Sequence, residues 1–240
     1  MSSWPLRSLL RGIRTTAWPH REEPAAGIGP GRPRADSHQP PDIAERCPTG
    51  ALRAVAAGMA VDFGRCVHCQ RCRHGEGALP WSKDFSWTAP GPRTGPPLGR
   101  RFRRSLHVRY IDAGACGACM GEVRLIDAPP YNLHRFGIFI TASPRDADVL
   151  LVGGPVTEAM RTPLIKSYEA MPQPKRVVAM GVCALNGGVF GRSFASAGGV
   201  DGVIPVDLVI PGCPPPPLAI LHGLLAVTGR TGTCEVEELP

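Results

Sequence analysis

Leu106-His107-Val108-Arg109-Tyr110-Ile111-Asp112-Ala113-Gly114-Ala115-Cys116-Gly117-Ala118-Cys119 is an alternating apolar run that breaks into glycines and a Cys-x-x-Cys pair. The alternation predicts a half-buried strand over 106–111, and the glycines permit a tight turn that leaves two thiols at its end. Downstream, residues 136–141, 149–152, 176–180 and 208–210 read as further buried strands. Residues 157–170, opened by a Thr157 cap and closed before Pro172, read as a helix, and residues 218–227 as another. Strands alternating with helices predict a parallel sheet covered on both faces, a small doubly wound α/β domain.

In such a sheet the carboxyl ends of the strands share one edge, where ligands collect. Cys116 and Cys119 follow the first strand, Cys183 follows 176–180 within Gly181-Val182-Cys183, and Cys213 follows 208–210 within Pro211-Gly212-Cys213-Pro214. Three loops distant in sequence are therefore expected to bring four thiols to one place. A single such cysteine would read as a buried structural residue; four at one edge read as a ligand set. A second set lies upstream: Cys47-Pro48-Thr49-Gly50-Ala51, then Cys66-x-x-Cys69-x-x-Cys72. The run C-x₂-C-x₂-C with a remote Cys-Pro is the ferredoxin spacing for one iron–sulfur cluster. A structural zinc site is the alternative, but zinc sites typically pair two separated Cys-x₂-Cys knuckles. With four cysteines in this set, His68 is expected to be a solvent-exposed loop residue and not a ligand. Cys234, outside both sets, reads as a free thiol in a polar tail.

The stretch from 105 to 229 resembles the iron–sulfur B subunit (20 kDa subunit) family of respiratory complex I and the small subunits of membrane-bound, formate hydrogenlyase-type nickel–iron hydrogenases. The matching residues are Asp112 to Cys119 with Glu122, Arg135-Phe136-Gly137-Ile138, Ala142-Ser143-Pro144-Arg145-Asp146, Gly154-Pro155-Val156-Thr157, Tyr168-Glu169-Ala170-Met171-Pro172 and Ile210-Pro211-Gly212-Cys213-Pro214. The resemblance implies a flavodoxin-like sheet and a 4Fe–4S cluster held by Cys116, Cys119, Cys183 and Cys213. Residues 42–79 separately resemble a ferredoxin-like module, which implies a second 4Fe–4S cluster on Cys47, Cys66, Cys69 and Cys72. Complex I proper has adjacent cysteines at the first position, so Cys116-x-x-Cys119 resembles the hydrogenase branch. The chain's stop soon after Gly229 favours the same branch over soluble hydrogenases. The implied partners are a large catalytic hydrogenase-like or complex I-like subunit, other peripheral-arm subunits and membrane subunits, with quinone as acceptor in the complex I alternative. Glu122 is implied as a proton-relay or partner-contact carboxylate; its ordinary reading is an acid in the first turn of a helix. Arg145 and Asp146 read as a loop salt bridge or cap.

The chain has 240 residues, 43% apolar and 20% charged, with 29 glycines, 27 prolines and nine cysteines. An odd cysteine count in clustered spacings disfavours a disulfide framework. No apolar run is long enough to span a bilayer. Residues 1–104 hold 17 basic against 8 acidic side chains, and residues 105–240 hold 10 against 12. A basic half without interleaved aromatics does not read as a nucleic-acid binder; a zinc-bearing basic protein is the outlying alternative. Leu6, Leu9, Leu10 and Ile13 form an apolar stripe among arginines. Residues 1–41 are expected to form this basic helix and an extended strap lying on neighbouring subunits, and 42–79 the ferredoxin-like module. Residues 80–104 are expected to form a Pro/Gly/Arg-rich linker, 105–230 the main domain and 231–240 a tail. His107 and His134 show no acidic companion at readable spacing, and no P-loop, dinucleotide fingerprint or Ser/His/Asp set appears. The expectation is a cytoplasmic electron-transfer subunit, peripheral to a membrane through its complex.

Overall fold

The computed structural model describes residues 9–10, 12, 15–21, 29, 31–34, 41–55 and 58–233. Its strands are β1 (Arg32–Pro33), β2 (Leu52–Val55), β3 (Gly58–Val61), β4 (Trp81–Ser82), β5 (Ala89–Pro90), β6 (Leu106–Asp112), β7 (Ile138–Ile140), β8 (Val149–Gly153), β9 (Arg176–Met180) and β10 (Leu208–Ile210). Among the described residues the α-helices that accompany them are α1 (Ala118–Leu125), α2 (Glu158–Ala170), α3 (Val182–Asn186) and α4 (Pro217–Val227).

The central sheet runs β5-β10-β9-β8-β6-β7. Its five long-range strands are parallel, and β5 is added antiparallel along the outer edge of β10. Taken from β6 in chain order, the parallel strands fall in the sequence 2-1-3-4-5, the flavodoxin-like arrangement. The period-2 pattern divides the strand residues between two layers. Val149, Leu151, Val178, Met180, Leu208 and Ile210 pack with α1 and α4, whereas Leu150, Val152, Val177, Ala179 and Val209 pack with α2 and α3. The sheet is thus covered on both faces, as the hydrophobic runs require.

Residues 80–104 are not a linker. Phe85, Trp87 and Ala89 are buried, β5 joins the sheet, and Leu98 N donates to Val227 O at 2.9 Å. The segment covers the outer side of α4, a helix apolar on every face and buried along its whole length. His222 of α4 meets Thr88 Oγ1 at 2.9 Å inside this layer. The proline and glycine content of 80–104 masks the buried side chains of Phe85, Trp87 and Ala89 and the short strand β5.

Two further expectations change. The strand expected over 136–141 is shorter, because residues 133–136 form a 3₁₀ turn that ends at Gly137 with φ +66. A Cβ at Gly137 would lie 2.4 Å from Arg104 O, so only glycine fits this corner. Thr157 precedes α2 but its hydroxyl makes no capping bond.

Residues 15–21 and 31–34 of the N-terminal region pack on this chain itself. Arg135 donates to Thr16 O at 2.5 Å, Trp18 O at 2.7 Å and Thr16 Oγ1 at 3.1 Å. Trp18 is buried edge-on against Phe136, and β1 pairs antiparallel with β4. Of the apolar stripe, Leu9 and Leu10 are exposed; Leu6 and Ile13 lie outside the described residues, as does Cys234.

Residues 42–79 carry a small core of their own, Ile43, Leu52, Met59, Val61 and Leu79, around the antiparallel β2–β3 hairpin. Asn186 Nδ2 donates to Gly64 O at 3.0 Å, and Phe63 enters the main core beside Trp87. The hairpin module is thereby tied to the sheet domain.

Candidate metal centres

The loop after β6 is shaped by Asp112, whose Oδ1 accepts from Gly114 N at 2.9 Å and Ala115 N at 2.6 Å. This turn delivers Cys116 and then Cys119 at the start of α1. Cys183 stands in the first turn of α3, immediately after β9, and Cys213 follows β10. Gly181 N donates to Ile210 O at 2.8 Å and Val182 N to Gly212 O at 3.0 Å, which locks the last two loops together. The four thiols meet at the carboxyl edge of the sheet, each within electrostatic reach of the others. Burial pushes the Cys119 thiol up to about 12, and the charges of Cys213, Cys183 and Cys116 push the same way. Burial first, then neighbouring thiols, also raises Cys183 and Cys213.

The second group surrounds the hairpin. Cys47, Cys66, Cys69 and Cys72 line one small enclosed cavity with Leu52, Val61 and Trp81. Burial raises Cys66 to about 12, and the charges of Cys72, Cys47 and Cys69 oppose its ionisation further. At Cys47 burial also acts upward, but donors from Thr49, Leu52 and Ala51 outweigh it and the net shift is down. Ala51 N reaches Cys47 Sγ at 3.2 Å. N–H groups aimed at sulfur are the contacts that stabilise a ligating thiolate.

The surroundings of the sheet-edge thiols suit a bulky sulfur-ligated group. A Cβ at Gly181 would sit 2.8 Å from Cys119 Sγ, and one at Gly188 2.8 Å from Cys183 Sγ. The backbone therefore closes on the thiols where only glycine leaves room. Tyr110 Oη is buried without a hydrogen-bond partner, its ring against Gly153 and within electrostatic reach of Cys119 and Cys116. An orphaned buried hydroxyl at this edge is a donor in want of an acceptor, and a sulfur-rich group would supply one. Among the described residues, no three His, Cys, Asp or Glu side chains close tightly enough to hold a single metal ion. A four-iron cluster is a larger body than one ion and takes its thiolates at wider spacing.

Several side chains stand differently from expectation. His68 is not solvent-exposed. Its ring packs among Phe63, Trp87 and Trp81 at centroid distances of 5.5, 5.5 and 6.0 Å, and burial lowers its pKa to about 4. Glu122 is in the second turn of α1, not the first, so the helix dipole does not account for it. It lines a cleft of about 340 Å³ with His68, Gln70, Tyr131 and Cys213, and burial raises its pKa. His134 Nε2 pairs with Asp127 Oδ1 at 3.0 Å and His107 Nδ1 with Asp148 Oδ2 at 3.6 Å, both companions hidden by sequence distance. Ser143 Oγ caps the 144–146 turn by accepting from Arg145 N at 3.2 Å.

The family described as "NADH ubiquinone oxidoreductase, 20 Kd subunit" matches residues 116–227, from the first cysteine of the sheet-edge set to the end of α4. The uncharacterized protein MJ0516 of Methanocaldococcus jannaschii is 48% identical over 128 residues, which cover 53% of this chain and 86% of that protein. The probable membrane-bound hydrogenase subunit mbhJ of Pyrococcus furiosus is 40% identical over 137 residues, covering 57% of this chain and 82% of that subunit. Formate hydrogenlyase subunit 7 of Escherichia coli is 40% identical over 150 residues, covering 60% of this chain and only 59% of its own length. With relatives this similar matched over most of their length, and with the family's span coinciding with the thiol-bearing sheet, the chain belongs to the NADH ubiquinone oxidoreductase 20 kDa subunit family.

Proposed function

We propose that this chain is an electron-transfer subunit of a membrane-associated, hydrogenase-type oxidoreductase complex. In this reading Cys116, Cys119, Cys183 and Cys213 hold one 4Fe–4S cluster, and Cys47, Cys66, Cys69 and Cys72 hold another. The observation that carries it is the meeting of four thiols from three separate loops at one sheet edge. When bound, each cluster accepts and returns single electrons.

The chain's own residues do the rest. The cysteines and the glycines behind them set where each cluster lies. Tyr110 offers a buried hydroxyl to the sheet-edge site, and hydrogen bonds to cluster sulfur raise reduction potential. Glu122, half-buried in the cleft beside Cys213, holds a proton more readily than an exposed carboxylate, which suits a relay group. The glycine-rich loop beyond Cys183 exposes Val189, Phe190 and Phe194, an apolar surface suited to docking a large catalytic subunit. No helix among the described residues is long and apolar enough to cross a membrane; the membrane contact in this reading is supplied by partner subunits.

Reconstitution with the complex's large subunit under hydrogen tests the relay. The full chain should lose its iron–sulfur absorption on reduction through both clusters. Cys213→Ser should leave the hairpin-side cluster oxidised, because its route to the catalytic subunit is cut. Reduction of the hairpin-side cluster in that variant would refute the order of transfer.

A further inference from the structure

His68 sits inside one thiol set and touches the other. It precedes Cys69 directly, and Cys213 N donates to its Nδ1 at 3.5 Å, the long end of a hydrogen bond. The two residues are 145 positions apart in sequence. The contact therefore joins the loop of the hairpin module to the last ligand-bearing loop of the sheet domain.

The imidazole is held there by more than one constraint. Phe63, Trp81 and Trp87 pack around it, and Trp87 and Phe63 belong to the main core. Because Nδ1 accepts, the proton resides on Nε2, which is buried with no partner. The backbone of His68 is left-handed, φ +53, as is that of Gln70, φ +60. A glycine would adopt this conformation without strain, whereas a β-carbon residue costs about 1 kcal/mol or more there. Strain, burial and an unpaired N–H are all borne at a side chain that reaches Cys213. Packing alone would be met by a phenyl ring at lower cost, since a phenyl carries no polar atoms to bury.

We propose that His68 is a positioning residue for electron transfer: its Nδ1 grips the Cys213 amide and thereby fixes the hairpin-side cluster site against the sheet-edge site. This rests on the two-cluster reading above. A shift in this contact changes the separation across which electrons pass, without altering either ligand set.

The test compares full-length wild type with His68→Phe and His68→Asn, each purified anaerobically. Phenylalanine keeps the ring and removes the acceptor, while asparagine keeps a side-chain acceptor near the Nδ1 position. Three measurements are made on each protein: iron content, the magnetic interaction between the two reduced clusters by electron paramagnetic resonance, and hydrogen exchange of the peptide containing Cys213. His68→Phe should retain wild-type iron, lose much of the inter-cluster interaction, and exchange the Cys213 amide up to about tenfold faster, as expected for one lost part-buried hydrogen bond. His68→Asn should recover both signals. Wild-type interaction and exchange in His68→Phe would overturn the proposal. If His68→Phe loses a cluster, His68→Asn decides: restored coupling supports the link, and weakened coupling in a fully loaded protein overturns it. Wild-type iron below about eight atoms per chain would instead sink the two-cluster reading, an outcome read from iron content alone.

Discussion

Replacing Gly181 by alanine should empty the sheet-edge site and leave the hairpin site filled. Gly181 has φ +87 and ψ 154 at the entrance to α3, a region that residues with a Cβ occupy at a cost of about 1–3 kcal/mol. The added methyl would lie 2.8 Å from Cys119 Sγ and 3.4 Å from Gly212 O. Sulfur must then retreat by several tenths of an ångström from a place set by α1, or the β9 and β10 loops must separate. Retreat of one thiolate breaks the ligand set; separation breaks the bonds from Gly181 N to Ile210 O and from Val182 N to Gly212 O. A loss of about 2 kcal/mol lowers the melting temperature by roughly 4–8 °C in a chain of this size. Iron per chain should fall from about eight to about four. Gly121→Ala is the control, because its Cβ would meet nothing within 4 Å and it lies within α1, where alanine is favoured by about 1 kcal/mol. A Gly181→Ala protein with full iron and an unchanged melting curve would show that Gly181 does not shape the sheet-edge site.

Cys47→Ser and Cys69→Ser should remove the same spectroscopic signal despite their separation in sequence, checked by paramagnetic resonance of each variant. Glu122→Gln should lower turnover of the assembled complex while iron content stays at the wild-type value; unchanged turnover would leave Glu122 with no role in proton transfer. Arg135→Ala removes three donors to Thr16 and Trp18, so limited proteolysis should cut ahead of residue 34 faster, with about 2–3 kcal/mol lost in denaturant unfolding. His222 is buried and its pKa is lowered to about 4 by that burial, against about 6.5 unfolded. The unfolded chain binds the extra proton, so His222 should make stability decline as pH falls from 6.5 and level off near 4, by roughly 3 kcal/mol. His222→Gln should remove this share of the decline, measured by urea titration, and leave the share of His68, whose pKa burial likewise lowers to about 4.

The parallel sheet was legible because β8, β9 and β10, buried on two faces, are nearly continuous apolar runs, because β6 alternates, and because cysteines at strand ends share an edge whatever the loops between them. Trp87 and β5 were not, since the proline-rich stretch around them has the composition of a linker and the strand that pairs with β5 is β10, over a hundred residues away. His68 was obscured for a similar reason. Its burial comes from Trp81, Trp87 and the Cys213 loop, none of which a local spacing can bring near. Arg135 could be matched as a family residue but not assigned to Thr16 and Trp18, because nothing in residues 15–21 signals where they dock. The thiol sets followed local and topological rules; the contacts joining the two modules followed neither.

The claim that this chain carries two four-iron clusters is tested most directly by counting metal and sulfide in anaerobically purified full-length protein. The full-length protein should hold about eight irons and eight acid-labile sulfides per chain, falling to about four of each in Cys213→Ser. Zinc in place of iron, or about four irons that Cys213→Ser does not reduce, would contradict it.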